Sequence, residues 1–233
     1  MTKAIILAGG LGTRLNSVLS DLPKPLAPIN GKPFLEYQMD YWIHQGVDHF
    51  VMSVGYLKEK IVDYFGDHYQ NIPINYAIEH TPLDTGGGLL KALDFIASDE
   101  PILVLNGDTY FEVDLKILRD FHVNQKSIWT FSLFRTIEVD RYMGIQLEPS
   151  GKLKLMNQQI GEQETLANGG VYLINPSNIK ALGFKSGEKI SLERDILKKL
   201  SDNHFDIYGI EFAGQFIDIG VPNDYKRASS ILI

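Results

Sequence analysis

Two clusters near the start of the chain have the residue types that handle phosphate. Gly9-Gly10-Leu11-Gly12-Thr13-Arg14 sets three glycines before an arginine. Glycines let backbone N–H groups wrap around phosphate oxygens that side chains would keep away, and Arg14 adds a charged fork able to hold a phosphate through two hydrogen bonds. The other reading of the glycines is a tight strand-to-loop turn. Two common phosphate motifs do not fit: a dinucleotide fingerprint needs a third glycine where this chain has Leu15, and a P-loop needs Gly-Lys-Ser/Thr where it has Gly-Thr-Arg. Further on, Pro23-Lys24-Pro25 holds a lysine between two prolines, in extended backbone from which it can reach the same phosphates. Alone it would be a surface lysine; its pairing with Arg14 argues for more.

Carboxylates and amides form a second set. Asp108 follows Asn106-Gly107 at the end of an apolar run, where a carboxylate could meet a divalent cation or simply cap a turn. Glu79 ends another apolar segment and could accept hydrogen bonds from a base edge rich in N–H donors; guanine offers N1–H and a 2-amino group. Glu193 lies in Ser191-Leu192-Glu193-Arg194-Asp195, where a carboxylate can bridge two sugar hydroxyls or equally face solvent on a helix.

These residues need elements to bring them together. Ala4 to Ala8 reads as a buried strand ending at glycines, followed by a helix that begins at Pro33 and stops at Gly46. Phe50 to Val54 is a strand, Leu57 to Phe65 a helix, Asn75 to Ile78 a strand, Gly86 to Ala97 a helix and Pro101 to Leu105 a strand. This alternation, to about residue 124, predicts an α/β fold: a Rossmann-like, mostly parallel sheet with helices on both faces. Beyond it, Ser127 to Phe134 and Gly144 to Leu155 read as antiparallel segments with a turn at Pro149-Ser150-Gly151. Val171 to Ile174 reads as a strand, and Ile190 to Leu200 as a helix with Ile190, Arg194 and Leu197 on one face. We expect one domain over 1–233, with a first half (about 1–124) and a second half (about 125–233) of different texture. Open α/β sheets bind ligands at the carboxyl ends of their strands, so the chemistry should sit after Ala8, around Val54, after Ile78 and after Leu105.

Composition narrows the classes. The 233 residues are 44% apolar and 22% charged, ordinary for a globular protein. The net charge of −7 disfavours a surface that tracks nucleic-acid phosphates. With no cysteine, thiolate metal sites, disulfides and a cysteine nucleophile are excluded. The sequence shows neither a secretory leader nor a stretch long and apolar enough to span a membrane, so a cytoplasmic enzyme is expected, without nucleic-acid or membrane partners.

Taken together, Gly-Gly-Leu-Gly-Thr-Arg followed by Pro-Lys-Pro resembles the signature of the sugar-1-phosphate nucleotidylyltransferases. The resemblance continues through Pro82-Leu83-Asp84-Thr85-Gly86-Gly87-Gly88, similar to the family's base-binding loop, and Leu105-Asn106-Gly107-Asp108, similar to its metal-binding strand end. It extends through Ala167-Asn168-Gly169-Gly170-Val171-Tyr172 to Phe216-Ile217-Asp218-Ile219-Gly220. It implies two substrates, a nucleoside triphosphate and a sugar 1-phosphate, and Mg²⁺ as cofactor, with self-association into a homo-oligomer left open. Catalytic roles fall to Arg14, Lys24 and Asp108, and metal ligation to Asp108 and Asp218. The nucleotide side takes Leu7, Ala8, Gly9, Gly10, Gly12, Thr13, Glu79, Thr85 and Gly86; the sugar side takes Asn106, Gly144, Asn168, Gly169 and Glu193. One departure stands out. Where the family carries Glu-Lys before the Ala-Asn-Gly-Gly strand, with the lysine on the sugar phosphate, this chain reads Met156-Asn157-Gln158-Gln159-Ile160. Lys152, Lys154, Arg141 or neutral Gln158 would have to stand in.

Overall fold

The computed structural model of the chain describes residues 2–10, 12, 15, 21–138, 141–142, 144–157 and 165–233. β1 (Thr2–Ala8) leaves Ala4, Ile5 and Ile6 without exposed surface. A run that is apolar on both faces is stable only where both faces are covered. α1 (Phe34–His44), β2 (Val47–Val54), α2 (Lys58–Phe65), β3 (Ile72–Ile78), α3 (Asp84–Leu93) and β4 (Ile102–Asn106) follow. β4, β1, β2 and β3 lie side by side in parallel, with Leu7 opposite Asn106, Ala8 opposite Val54, and Val54 opposite Ile78. Successive side chains of a strand face opposite ways. Ile5 therefore joins an apolar layer with Val51, Leu89 and Val104, and Ile6 joins the other with Met39, Trp42 and Met52.

The second half adds β5 (Thr109–Phe111), α4 (Leu115–Asn124), β6 (Trp129–Thr136), β7 (Gly144–Leu147), β8 (Leu153–Asn157) and β9 (Thr165–Ile174). β10 (Ile207–Glu211), β11 (Phe216–Asp218) and α5 (Pro222–Ile231) complete it. β9 runs antiparallel to both β4 and β6 and carries one sheet across the two halves, ten strands among the described residues. That sheet is mixed, parallel in the first half and largely antiparallel in the second, as the alternation to about residue 124 and the antiparallel segments beyond it lead one to expect. Only β4-β1-β2-β3 and the β6–β10 pair are parallel. β7 and β8 are joined by a tight turn, which forces them antiparallel; Gly151 there has φ +85, and its amide donates to the Glu148 carbonyl at 2.8 Å.

Two helices differ from expectation. α3 starts at Asp84 and ends at Leu93. The stretch read as one helix from Ile190 is a π-type turn over Leu192–Leu197, then a short helix, Lys198–Asp202. Ile190 precedes the turn, and Arg194 is exposed while Leu197 is buried, so those side chains share no face. Ser191 caps it: its Oγ accepts from the Arg194 amide at 3.2 Å, and its own amide donates to Asp195 Oδ2 at 2.7 Å. These bonds satisfy the end groups that a helix start leaves open.

A buried amide ties the helical layer to the sheet end. Gln38, on α1 among Leu35, Met39 and Trp42, donates through Nε2 to the carbonyls of Asn106 (2.9 Å) and Thr109 (2.6 Å). It spans the turn that carries Gly107 and Asp108. No described helix is long and apolar enough to cross a membrane.

Two stability tests follow from these buried polar groups. Gln38→Leu keeps the volume but removes both bonds to the turn, so urea unfolding should show a loss of roughly 1–3 kcal/mol. His122 on α4 is buried between Thr130 Oγ1 (2.8 Å) and Asn175 Oδ1 (3.3 Å), and burial holds its pKa below the ordinary 6.5. The unfolded chain then takes up that proton first, so the contribution of His122 is present above about pH 6.5 and lost as pH falls below it. In thermal melts, His122→Gln should make the drop in midpoint between about pH 7 and pH 5 shallower.

Candidate active site

The carboxyl ends of β4, β1, β2 and β3 open onto one cavity of about 710 Å³. Its wall includes Ala8 to Gly10 after β1, Ser53 in β2, Glu79 after β3, and Asn106 to Asp108 after β4. These are the positions at which an α/β sheet offers loop backbone and side chains to a ligand. Lys24 reaches the same wall from the proline-flanked segment, with its amine 2.9 Å from Asp108 Oδ2.

Asp218 is brought to Asp108 by pairing between two short strands. β11 runs antiparallel to β5 with Asp218 opposite Thr109, and the Ile219 amide donates to the Asp108 carbonyl at 2.9 Å. A Cβ placed on Gly220 would lie 2.7 Å from Asp218 Oδ1, 3.3 Å from Lys24 Nζ and 3.5 Å from Asp108 Oδ2. Both carboxylates and one ammonium therefore face a single point. Burial, and then the nearby charge of Asp108, push the Asp218 pKa above the ordinary carboxylate value. Its Oδ1 accepts from the Gly220 amide (2.6 Å) and its Oδ2 from Arg141 (3.2 Å). Two adjacent carboxylate groups suit a hard divalent cation, which takes its other oxygens from substrate or water. Among the described residues no group of three or more His, Asp or Glu forms a fuller cage.

Glu79 is buried at the cavity's inner end. Ser53 Oγ donates to its Oε1 at 2.8 Å and the Leu83 amide to its Oε2 at 3.1 Å. Glycine is needed beside it: a Cβ on Gly9 would collide with Oε1, and one on Gly88 would lie 2.9 Å from the same oxygen. Each Glu79 oxygen keeps acceptor capacity beyond the bond it already makes.

Of the residues singled out from the sequence, Leu7, Ala8, Gly9, Gly10, Gly12, Lys24, Glu79, Thr85, Asn106, Asp108 and Glu193 share this wall. Asn168 stands beside it, its Nδ2 2.7 Å from the hydroxyl of Tyr172, a wall residue. Burial raises the Tyr172 pKa, the Asn168 bond opposes that rise, and the charge of Glu193, on the same wall, adds to it. Three glycines lie off the wall. Gly86 backs onto the Ile190–Leu192 backbone, where a Cβ would come within 2.8 Å of the Ile190 carbonyl; Gly169 makes room for the Phe111 ring; Gly144 is buried in β7. Arg14, Thr13 and Gln158 lie outside the described residues.

The stand-ins for the absent lysine resolve differently. Arg141 is held by Asp224, by Asp218 at 3.2 Å and by Glu138 at 3.4 Å, and it lines a second cavity. Lys152 pairs with Asp206, and Lys154 is exposed on β8 away from the wall. Sequence reasoning gave no role of their own to Ser53, Tyr172, Asp84 and Arg194, all on the wall, naming the last three only inside longer motifs. Ser53 did carry a signal, as the polar residue inside the run Phe50-Val51-Met52-Ser53-Val54.

Comparison with known proteins places the chain in a family. The nucleotidyl transferase family pattern matches residues 3–233. A D-glycero-α-D-manno-heptose 1-phosphate guanylyltransferase from Aneurinibacillus thermoaerophilus is 41% identical over 231 residues, covering 99% of this chain and 98% of that one. One from Campylobacter jejuni is 39% identical over 228 residues, 96% of each. The crystal structure of HddC from Yersinia pseudotuberculosis complexed with GMP-PN superposes with a TM-score of 0.87 at 32% identity, over 100% of both chains. The reaction of such enzymes joins a nucleotidyl group to a sugar 1-phosphate to give a nucleotide sugar, and this chain belongs to their family, the sugar-1-phosphate nucleotidylyltransferases.

Proposed function

We propose that the chain transfers GMP from GTP to D-glycero-α-D-manno-heptose 1-phosphate, releasing pyrophosphate, with Mg²⁺ as cofactor. The observation that carries the base assignment is Glu79. Its carboxylate is fixed by Ser53 and Leu83 and borders the cavity with acceptor capacity left, which suits the N1–H and 2-amino donors of guanine. The sugar assignment draws support from the two heptose 1-phosphate guanylyltransferases matched over nearly their whole length.

The chemistry is in-line attack of a sugar-phosphate oxygen on the α-phosphorus of the triphosphate. That oxygen is already ionised at neutral pH, so no strong base is needed, and the work lies in positioning and neutralising two anions. Lys24 is suited to the α-phosphate from its place on the wall, and Arg14, in the glycine-rich segment, to the departing β and γ phosphates. Asp108 and Asp218 would hold Mg²⁺, which when bound supplies positive charge to the phosphate oxygens. Asn106, Asn168 and Glu193 are suited to the sugar hydroxyls.

Lys24→Ala and Asp108→Asn should each lower kcat by on the order of 10²–10³ with far-UV circular dichroism unchanged. Near-normal turnover by either variant would remove that residue from the catalytic set. Pyrophosphate release compared across GTP, UTP, CTP, dTTP and ATP, with heptose 1-phosphate as acceptor, tests the substrates. GTP should lead, and Glu79→Gln should cut its lead by on the order of 10-fold by facing guanine N1–H with a donor. A lead for another base would overturn the guanine assignment while keeping the reaction. No turnover with any base and any sugar phosphate would mark a protein that only binds sugar nucleotides.

A further inference from the structure

Both substrates of the family's reaction are anions, and their phosphates must come within bonding distance of each other. The cations available to them can be counted. Among the described residues the cavity wall carries Lys24 and Arg194. Lys24 already faces Asp108. The stretches outside the described residues hold one further Lys or Arg, Arg14. Arg141 is engaged by Asp224 and Asp218, and Lys152 by Asp206, and neither cation lines this wall.

Arg194 is placed for an anion by its surroundings. The π-type turn over Leu192–Leu197 is capped by Ser191 and backed by the α3 glycines, since Gly86 leaves the room that the Ile190–Leu192 backbone fills. π-type turns inside helices recur at functional sites. Ser191 to Arg194 line the same cavity as Tyr172, whose hydroxyl accepts from Asn168 at 2.7 Å, so the turn shares a wall with the residues suited to the sugar. The Arg194 side chain is 81% exposed, and its ion-pair partner among the described residues, Asp84, stands 3.8 Å away, too far for a hydrogen bond. Among the described residues its planar fork hydrogen-bonds to no carboxylate, and it can take two phosphate oxygens at once. We propose that Arg194 binds the phosphate of the sugar 1-phosphate. The inference rests on the family's reaction, not on guanine or heptose being the substrates.

The competing account is a surface arginine loosely paired with Asp84. Steady-state kinetics on Arg194→Met and Arg194→Lys, with Mg²⁺ and whichever triphosphate and sugar 1-phosphate the wild-type protein turns over best, separate the two. KM for the sugar 1-phosphate should rise on the order of 10- to 100-fold in Arg194→Met. KM for the triphosphate should stay within about twofold and the melting midpoint should not move, as expected for an exposed side chain. Arg194→Lys should recover part of the loss, since it restores charge without the fork. Lys152→Met, at a cation away from the cavity, should leave both KM values alone. An unchanged sugar 1-phosphate KM in Arg194→Met would overturn the proposal. So would an equal rise for both substrates, which would put the guanidinium on the triphosphate, or an equal rise in Lys152→Met, which would reduce the effect to net charge. A wild-type preference for another base or sugar counts against the proposed substrates alone, because the measurement uses the preferred pair.

Discussion

Asp108 and Asp218 repel each other, and the fold must hold them together despite that repulsion. In water they would separate; here the β5–β11 pairing and the Ile219 amide fix the backbones. Lys24 offsets one charge and Arg141 the other. Arg141 is itself balanced by buried Asp224, so the site is one alternating array of charges rather than a lone pair of acids. Such an array favours a positive charge between the carboxylates and costs free energy when any one member is missing. Gln38 holds the Asp108 turn from a layer below, so the position of Asp108 depends on helix packing as well as on the sheet.

Much of this arrangement is legible in the sequence. Buried parallel strands have a simple signature, short apolar runs without alternation, and glycine or a polar residue marks where each run ends. That is enough to set Ala8, Val54, Ile78 and Leu105 at one edge and so to gather Gly9, Glu79 and Asp108 around one cavity. The antiparallel half was legible too, from the turn at Pro149-Ser150-Gly151, but that β9 is the strand joining the two halves was not, because an extended run does not declare which strands lie beside it.

The parts that escaped did so for physical reasons. β11 is three residues long, too short for periodicity, so the meeting of Asp218 with Asp108 came from resemblance and not from pattern. Gln38 occupies an apolar stripe of α1 as an isolated polar residue, and its partners are backbone carbonyls with no sequence signal. The stretch after Ile190 has helical spacing, but π winding changes which side chains share a face. Arg194 therefore reaches the cavity wall although a 3.6-residue period aligns it with buried Ile190 and Leu197.

The contact between α3 and the segment before the π-type turn has a consequence for how such an enzyme changes its substrates. Gly86 meets the backbone of Ile190 to Leu192, Gly87 comes against the Glu188 carbonyl and the Leu83 side chain, and the Gly87 and Ile190 amides donate to the Ile190 and Leu83 carbonyls at 2.9 Å each. The loop beside Glu79 and the turn bearing Glu193 are thereby one mechanical unit, though a hundred residues of chain, roughly, separate them. A change of side chain at α3 that shifted its axis would move both ends of the cavity together. Recombining the two segments from different relatives would need matched glycines on one side and matched backbone on the other, so they are best exchanged as a pair.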